Sequence, residues 1–199
     1  LLGGIFGFGM ASTILVGQAM GRKDLPAARQ AIGSAATFFL GLSVVLAAVG
    51  WVLAERVLSW MATPVDAMPL AVAYIRIIFL ALPLLYAFAF LSAILRGAGD
   101  TRTPFLFLLL AVVLDIGLVP MLMFGVGPLP EMGMAGSAMA TLVANAIALP
   151  SMLWWLRKSR NPLWISRSEP HLYNPDWVIV RTLVVKGVPM GLQMIVISL

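Results

Sequence analysis

The sequence contains no cysteine and a single histidine, and only 11% of its 199 residues are Asp, Glu, Lys or Arg. Without thiols, neither a disulfide framework nor a thiolate metal site is available. A soluble domain carries about 25% charged residues beside about 45–50% apolar ones. Here the charge is less than half of that, 61% of the residues are hydrophobic, and the mean hydropathy is +1.01. A soluble globular domain, a disordered chain and a nucleic-acid-binding module are excluded, which leaves a polytopic α-helical membrane protein. The net charge of +5 does not bring nucleic acid back as a partner. The charges sit in short clusters between apolar runs, where a phosphate-binding face needs them on one folded surface.

A helix needs about 20 apolar residues to cross about 30 Å of hydrocarbon. Six runs are candidates: residues 1–20, 31–54, 70–95, 104–124, 134–156 and 188–199. They predict an all-α transmembrane bundle of five spans plus the start of a sixth. Membrane β-strands are shorter and alternate, which these runs do not. Breakers separate the runs. Gly97 and Gly99 are expected to stop the third, and Thr103-Pro104 to restart a helix as N-cap and first helical residue. The chain opens on Leu1-Leu2-Gly3-Gly4 and ends inside an apolar run, so it is expected to be an internal piece of a longer protein with no signal peptide.

The segments 22–30, 96–103 and 157–187 fall on one side by alternation. They hold Arg22, Lys23, Arg29, Arg96, Arg102, Arg157, Lys158, Arg160, Arg167, Arg181 and Lys186, which is 11 of the 13 basic residues. The opposite loops hold Arg56 beside Glu55, Asp66 and Glu131, and Arg76 lies within the third run, near its outer end. The positive-inside rule makes the basic side cytoplasmic, in a cell (inner) membrane. Trp51 and Trp60 flank the outer end of the second run, Trp154 and Trp155 mark the inner end of the fifth, and Trp164 and Trp177 lie in the inner connection, as headgroup-level rings do. Residues 174–186 read as an amphipathic helix along the inner interface, or as a tethered loop.

Asp115 is the informative residue, about midway along the run 104–124 and so near the bilayer midplane. An ionised carboxylate there is costly unless paired, hydrated or protonated, which suits a proton or cation carrier. Pro120 cannot donate to the carbonyl of Ile116, so that oxygen is left free beside Asp115. The competing reading is a structural Asp bonded to a neighbouring helix. In the fifth run Gly133, Ser137, Thr141 and Asn145 recur every four residues, with Gly136, Ala140, Ala144 and Ala148 beside them. Small residues at this spacing mean close helix packing, but Thr141 and Asn145 need polar partners or water at depth. Gln18, Tyr86 near Pro83, and Gln193 near Pro189 are candidate cavity-lining residues. His171, the one His, falls in the basic connection and is expected to be solvated. No cluster of His, Cys or paired carboxylates supports an intramembrane enzyme or a metal centre, so no catalytic residue is named.

Arg96-Gly97-Ala98-Gly99-Asp100-Thr101-Arg102-Thr103-Pro104, lying between two spans, resembles the signature loop of the multidrug and toxic compound extrusion (MATE) family. Gly17-Gln18-Ala19-Met20-Gly21, Ala135-Gly136-Ser137-Ala138-Met139-Ala140-Thr141 and Gly187-Val188-Pro189-Met190-Gly191-Leu192-Gln193 support it in order and spacing. The resemblance implies one lobe of a twelve-helix, two-lobe transporter. Residues 1–157 would be N-terminal lobe helices (family helices two to six), 158–187 a cytoplasmic inter-lobe connection with an interfacial helix, and 188–199 the start of the C-terminal lobe. It implies an antiporter exporting drugs or cationic, amphipathic metabolites in exchange for protons or sodium ions by alternating access. No cofactor is implied. The partners are a small organic substrate, membrane lipid, and the first helix and second lobe of the same protein. Family members carry Asn-x-x-x-Asp ahead of a Pro on the fifth helix. Here Asp115 occupies the Asn slot and Val119 the Asp slot, and the family's ion-site Thr matches Thr141. The implied ion site is Asp115, Thr141 and Asn145. The alternatives are a lipid-linked oligosaccharide flippase of the same broad fold, expected to have a basic central cavity, and a non-transporting membrane scaffold.

Overall fold

The computed structural model describes residues 2–61, 63–64, 66–125, 131–159 and 176–197. Six helices follow one another: α1 (Leu2–Gly21), α2 (Leu25–Trp60), α3 (Met68–Gly97), α4 (Arg102–Phe124), α5 (Met134–Lys158) and α6 (Trp177–Ile197). No strand occurs among the described residues. α2 to α5 are each long and apolar enough to cross a membrane. α2 and α4 leave most of their apolar length unburied within the protein, as helices bathed by lipid do.

Three of the helices, α2, α4 and α6, begin where an Asp side chain accepts a backbone N–H. Asp24 Oδ1 accepts from Ala27 N at 3.0 Å to open α2. Asp100 Oδ1 accepts from Thr103 N at 3.0 Å to open α4. Asp176 Oδ1 accepts from Val178 N at 2.9 Å to open α6. The cap expected at Thr103 is therefore Asp100, and α4 starts at Arg102. Pro104 falls inside the first turn and is tolerated there, because first-turn N–H groups have no helical partner to lose. α2 extends beyond the expected 31–54 at both ends. Its 36 residues make a rod about 54 Å long, so its ends outreach a hydrocarbon core of about 30 Å.

A further difference concerns residues 174–199. The expected interfacial helix and the expected last span are one helix, α6, from Trp177 to Ile197. Gly187 and Pro189 do not interrupt it, since neighbouring helices and main-chain adjustment tolerate such residues in membrane helices. Trp164, His171, the start of the proposed interfacial helix and the turn residues 126–130 lie outside the described residues.

The chain divides into two compact units. The first holds residues 1–41, 86–105 and 152–199. Its core is aromatic: Phe39 stacks on Phe90 with centroids 4.7 Å apart and meets Phe8, Phe38 and Tyr86 at tilted or edge-on angles. α1 and α6 cross at glycines. A Cβ at Gly7 would lie 2.5 Å from the Gly191 nitrogen and against the Gly187 carbonyl. α1 meets α3 as closely, because a Cβ at Gly97 would lie 2.7 Å from the Thr13 carbonyl. The Thr13 hydroxyl donates to the Ala93 carbonyl at 3.0 Å. α6 is tied to α2 at its start, where Asp176 N donates to Ser34 Oγ at 3.1 Å and Gln30 Nε2 donates to Asp176 Oδ2 at 3.3 Å.

The second unit holds residues 42–85 and 106–151. The Phe79 ring fills the space over Gly50, joining α2 to α3. Arg76 pairs with Glu55 at 2.8 Å, and its guanidinium lies 5.7 Å from the Trp51 ring centroid. α4 and α5 approach backbone to backbone, because a Cβ at Gly136 would lie 2.5 Å from the Leu122 carbonyl. Met132 N donates to that carbonyl at 3.0 Å.

Candidate functional site

The packing stripe and the polar stripe of α5 separate cleanly. Gly136, Ala140, Ala144 and Ala148 are buried, and Gly136 sets the spacing to α4 through its contact at Leu122. That spacing brings the neighbouring face of α5 within reach of Asp115 on α4. The Thr141 hydroxyl lies 3.2 Å from Asp115 Oδ1 and 3.3 Å from the Ser137 carbonyl. Both distances exceed the usual 2.7–2.8 Å for O–H···O. One hydroxyl hydrogen is thus shared between two acceptors, and the carboxylate is only loosely satisfied.

Asn145 stands one turn further along α5. It is buried, and its Nδ2 donates to the Thr141 carbonyl at 2.8 Å. This bond fixes the amide on the same helix face and leaves its oxygen as an acceptor. Asp115 is half-buried. Among the described residues, no Lys or Arg pairs with it. α4 continues through Pro120, so the Ile116 carbonyl lacks the donor four residues on. Of the expected set, the structure joins Asp115 to Thr141; Asn145 bonds the Thr141 main chain, and no hydrogen bond among the described residues joins it to Asp115. No group of three or more His, Cys, Asp or Glu side chains able to hold a metal ion occurs among the described residues.

The remaining candidates belong to the first unit. Gln18 and Gln193 are exposed. Tyr86 is 1% exposed and packs against Phe39 with centroids 6.4 Å apart, so it is a core residue and not part of an open lining. Sequence reasoning missed two connections, Thr13 to Ala93 and Asp176 to Ser34. Both join residues far apart in sequence through a backbone group, which carries no sequence signal. The Arg76–Glu55 pair was legible in principle, as opposite charges at the facing ends of consecutive helices.

Comparison with known proteins agrees with this architecture. The MatE family matches residues 1–121. A probable multidrug resistance protein of Bacillus subtilis, YoeA, is 34% identical over 97% of this chain and 42% of its own length. An FAD transporter of Shewanella oneidensis is 30% identical over 72% of this chain and 32% of its own length. A MATE crystal structure in complex with MaD3S superposes with a TM-score of 0.88, at 22% identity, over 98% of this chain and 43% of that one. At that identity the likeness shows the fold. The chain therefore spans less than half the length of the proteins it matches.

Proposed function

The chain belongs to the MatE family, and from that premise we propose that it forms most of one lobe of a secondary antiporter. The antiporter exports drugs or amphipathic, cationic metabolites in exchange for protons or sodium ions. The multi-pass helical architecture and the relatives named for multidrug resistance support transport. The relative named as an FAD transporter keeps the substrate class broad. The basic loops face the cytoplasm by the positive-inside rule.

The observation that carries the reading is the carboxylate of Asp115, held by one long hydrogen bond from Thr141 and paired with no basic side chain among the described residues. A charge in that condition favours whichever access state gives it a cation or a proton. Cation binding draws in the Thr141 hydroxyl and Asn145 oxygen and tightens α5 on α4. Substrate binding opposes that tightening, so the two ligands exchange.

The test is efflux by the full-length protein in membrane vesicles with imposed proton or sodium gradients. Asp115→Asn is expected to abolish gradient-driven efflux while the protein still folds and inserts, since the amide oxygen can still accept the Thr141 hydroxyl. Gradient-driven efflux at the wild-type rate in Asp115→Asn would refute the assignment.

A further inference from the structure

We propose that the basic end of the first unit binds anionic phospholipid headgroups, with Trp154, Arg157 and Lys158 at the end of α5 as its best-defined contact. The inference rests on the membrane placement of the protein and not on the identity of the coupling ion.

Asp24, Asp100 and Asp176 are the acidic residues described in this unit. All three caps are occupied, each carboxylate accepting a backbone N–H at the start of α2, α4 or α6. Their charge already answers the positive end of a helix dipole. Among the described residues, Arg22, Lys23, Arg96, Arg102 and Arg157 form no ion pair.

These cations are also gathered. The Gly97 carbonyl approaches Gly17 within 3.3 Å of a Cβ position, which puts the end of α3, with Arg96, beside the end of α1, with Arg22 and Lys23. Among the described residues no acid pairs with Arg96, Arg22 or Lys23, so an anion from outside would meet uncompensated charge there.

The end of α5 shows the depth at which that counter-charge is met. Trp154 and Trp155 are exposed, and the Lys158 ammonium lies 4.9 Å from the Trp154 ring centroid. Arg157 is exposed beside them. Indole rings settle at the headgroup level of a bilayer. A cation held over such a ring, with a free guanidinium one residue away, offers a phosphate a point charge and a planar set of donors at that level. A zwitterionic headgroup brings its own cation and gains little. A headgroup with net negative charge gains from every uncompensated Lys or Arg near the surface.

The experiment uses the full-length protein in phosphatidylcholine bilayers containing a small fraction of brominated-acyl phosphatidylglycerol or, in parallel, brominated phosphatidylcholine. Bromine quenches tryptophan on contact, and the Trp154 and Trp155 signal is taken as the difference from Trp154→Phe/Trp155→Phe. The expected result is quenching about threefold or more stronger by the anionic lipid at equal mole fraction. The preference is lost in Arg157→Gln/Lys158→Gln, kept in Arg157→Lys, and unaffected by millimolar inorganic phosphate. Equal quenching by the two lipids, a preference that survives in Arg157→Gln/Lys158→Gln, or one erased by free phosphate would overturn the proposal. Quenching requires no transport, so a protein that failed the efflux test would still give a readable answer here.

Discussion

A carboxylate inside a membrane helix is tolerated by pairing with a base, by water, or by a proton or cation that comes and goes. Among the described residues no base pairs with Asp115, and its hydrogen bond from Thr141 is 3.2 Å long. Thr141 is the residue whose loss separates the ways that remain. Removing a hydroxyl that donates to a charged group costs about 1.5–3 kcal/mol, so Thr141→Val is expected to weaken ion affinity about tenfold or more. Thr141→Ser keeps the hydroxyl and is expected to stay close to wild type. Ion-dependent protection against thermal unfolding reads both, and equal protection of Thr141→Val and wild type would remove Thr141 from the site. Asp115 and Thr141 were both legible in the sequence, one as a lone acid in an apolar run and the other as a polar residue at helical spacing. What the sequence could not supply was their mutual distance, which depends on how closely α4 and α5 approach.

That approach is set by elements that touch through glycine. A side chain at Gly136 would enter the Leu122 backbone, and one at Gly7 would enter Gly187 and Gly191. Backbone cannot swing aside as a side-chain tip does, and overpacking of this kind costs about 1–3 kcal/mol or more. Gly136→Val is expected to lower the unfolding temperature of the full-length protein and to abolish ion protection together, because it moves the face bearing Thr141 away from Asp115. Gly7→Val, which acts within the first unit, is expected to lower the unfolding temperature alone. A Gly136→Val protein with normal ion protection would show that α4–α5 spacing does not govern the site. Asp176→Ala removes a cap worth about 1 kcal/mol and the side-chain link from Gln30 on α2, while the backbone bond to Ser34 is kept. It is expected to speed proteolysis around the start of α6.

Helix existence was written in the apolar runs, and their centres agree with α1 to α5. The ends were not. α2 outruns its apolar core because Asp24 caps its start and Ala27, Ala28, Arg29 and Gln30 at one end and Glu55 and Arg56 at the other are helix formers. α6 unites two segments because Gly187 and Pro189 look like punctuation until a neighbouring helix packs on them. Tyr86 shows the same limit: an aromatic in a span gives no sign of whether it faces an opening or, as here, the ring of Phe39.

At the scale of the whole molecule, charge is unevenly divided between the two units. The described residues of the first carry many uncompensated Lys and Arg and three capping acids. Those of the second carry Arg56 and Arg76 against Glu55, Asp66, Asp115 and Glu131. Such a division fixes how a polytopic chain inserts. A cysteine placed at Lys23 in the full-length protein is expected to react with a membrane-impermeant maleimide only from the cytoplasmic side, and one at Asp66 only from the opposite side. The central claim, that Asp115 carries the coupling cation, is tested most directly by adding a transported organic cation to the purified full-length protein and measuring protons or sodium ions released. Wild type is predicted to release a cation on substrate addition and Asp115→Asn to bind substrate with no release from this lobe. Undiminished release from Asp115→Asn would contradict the account.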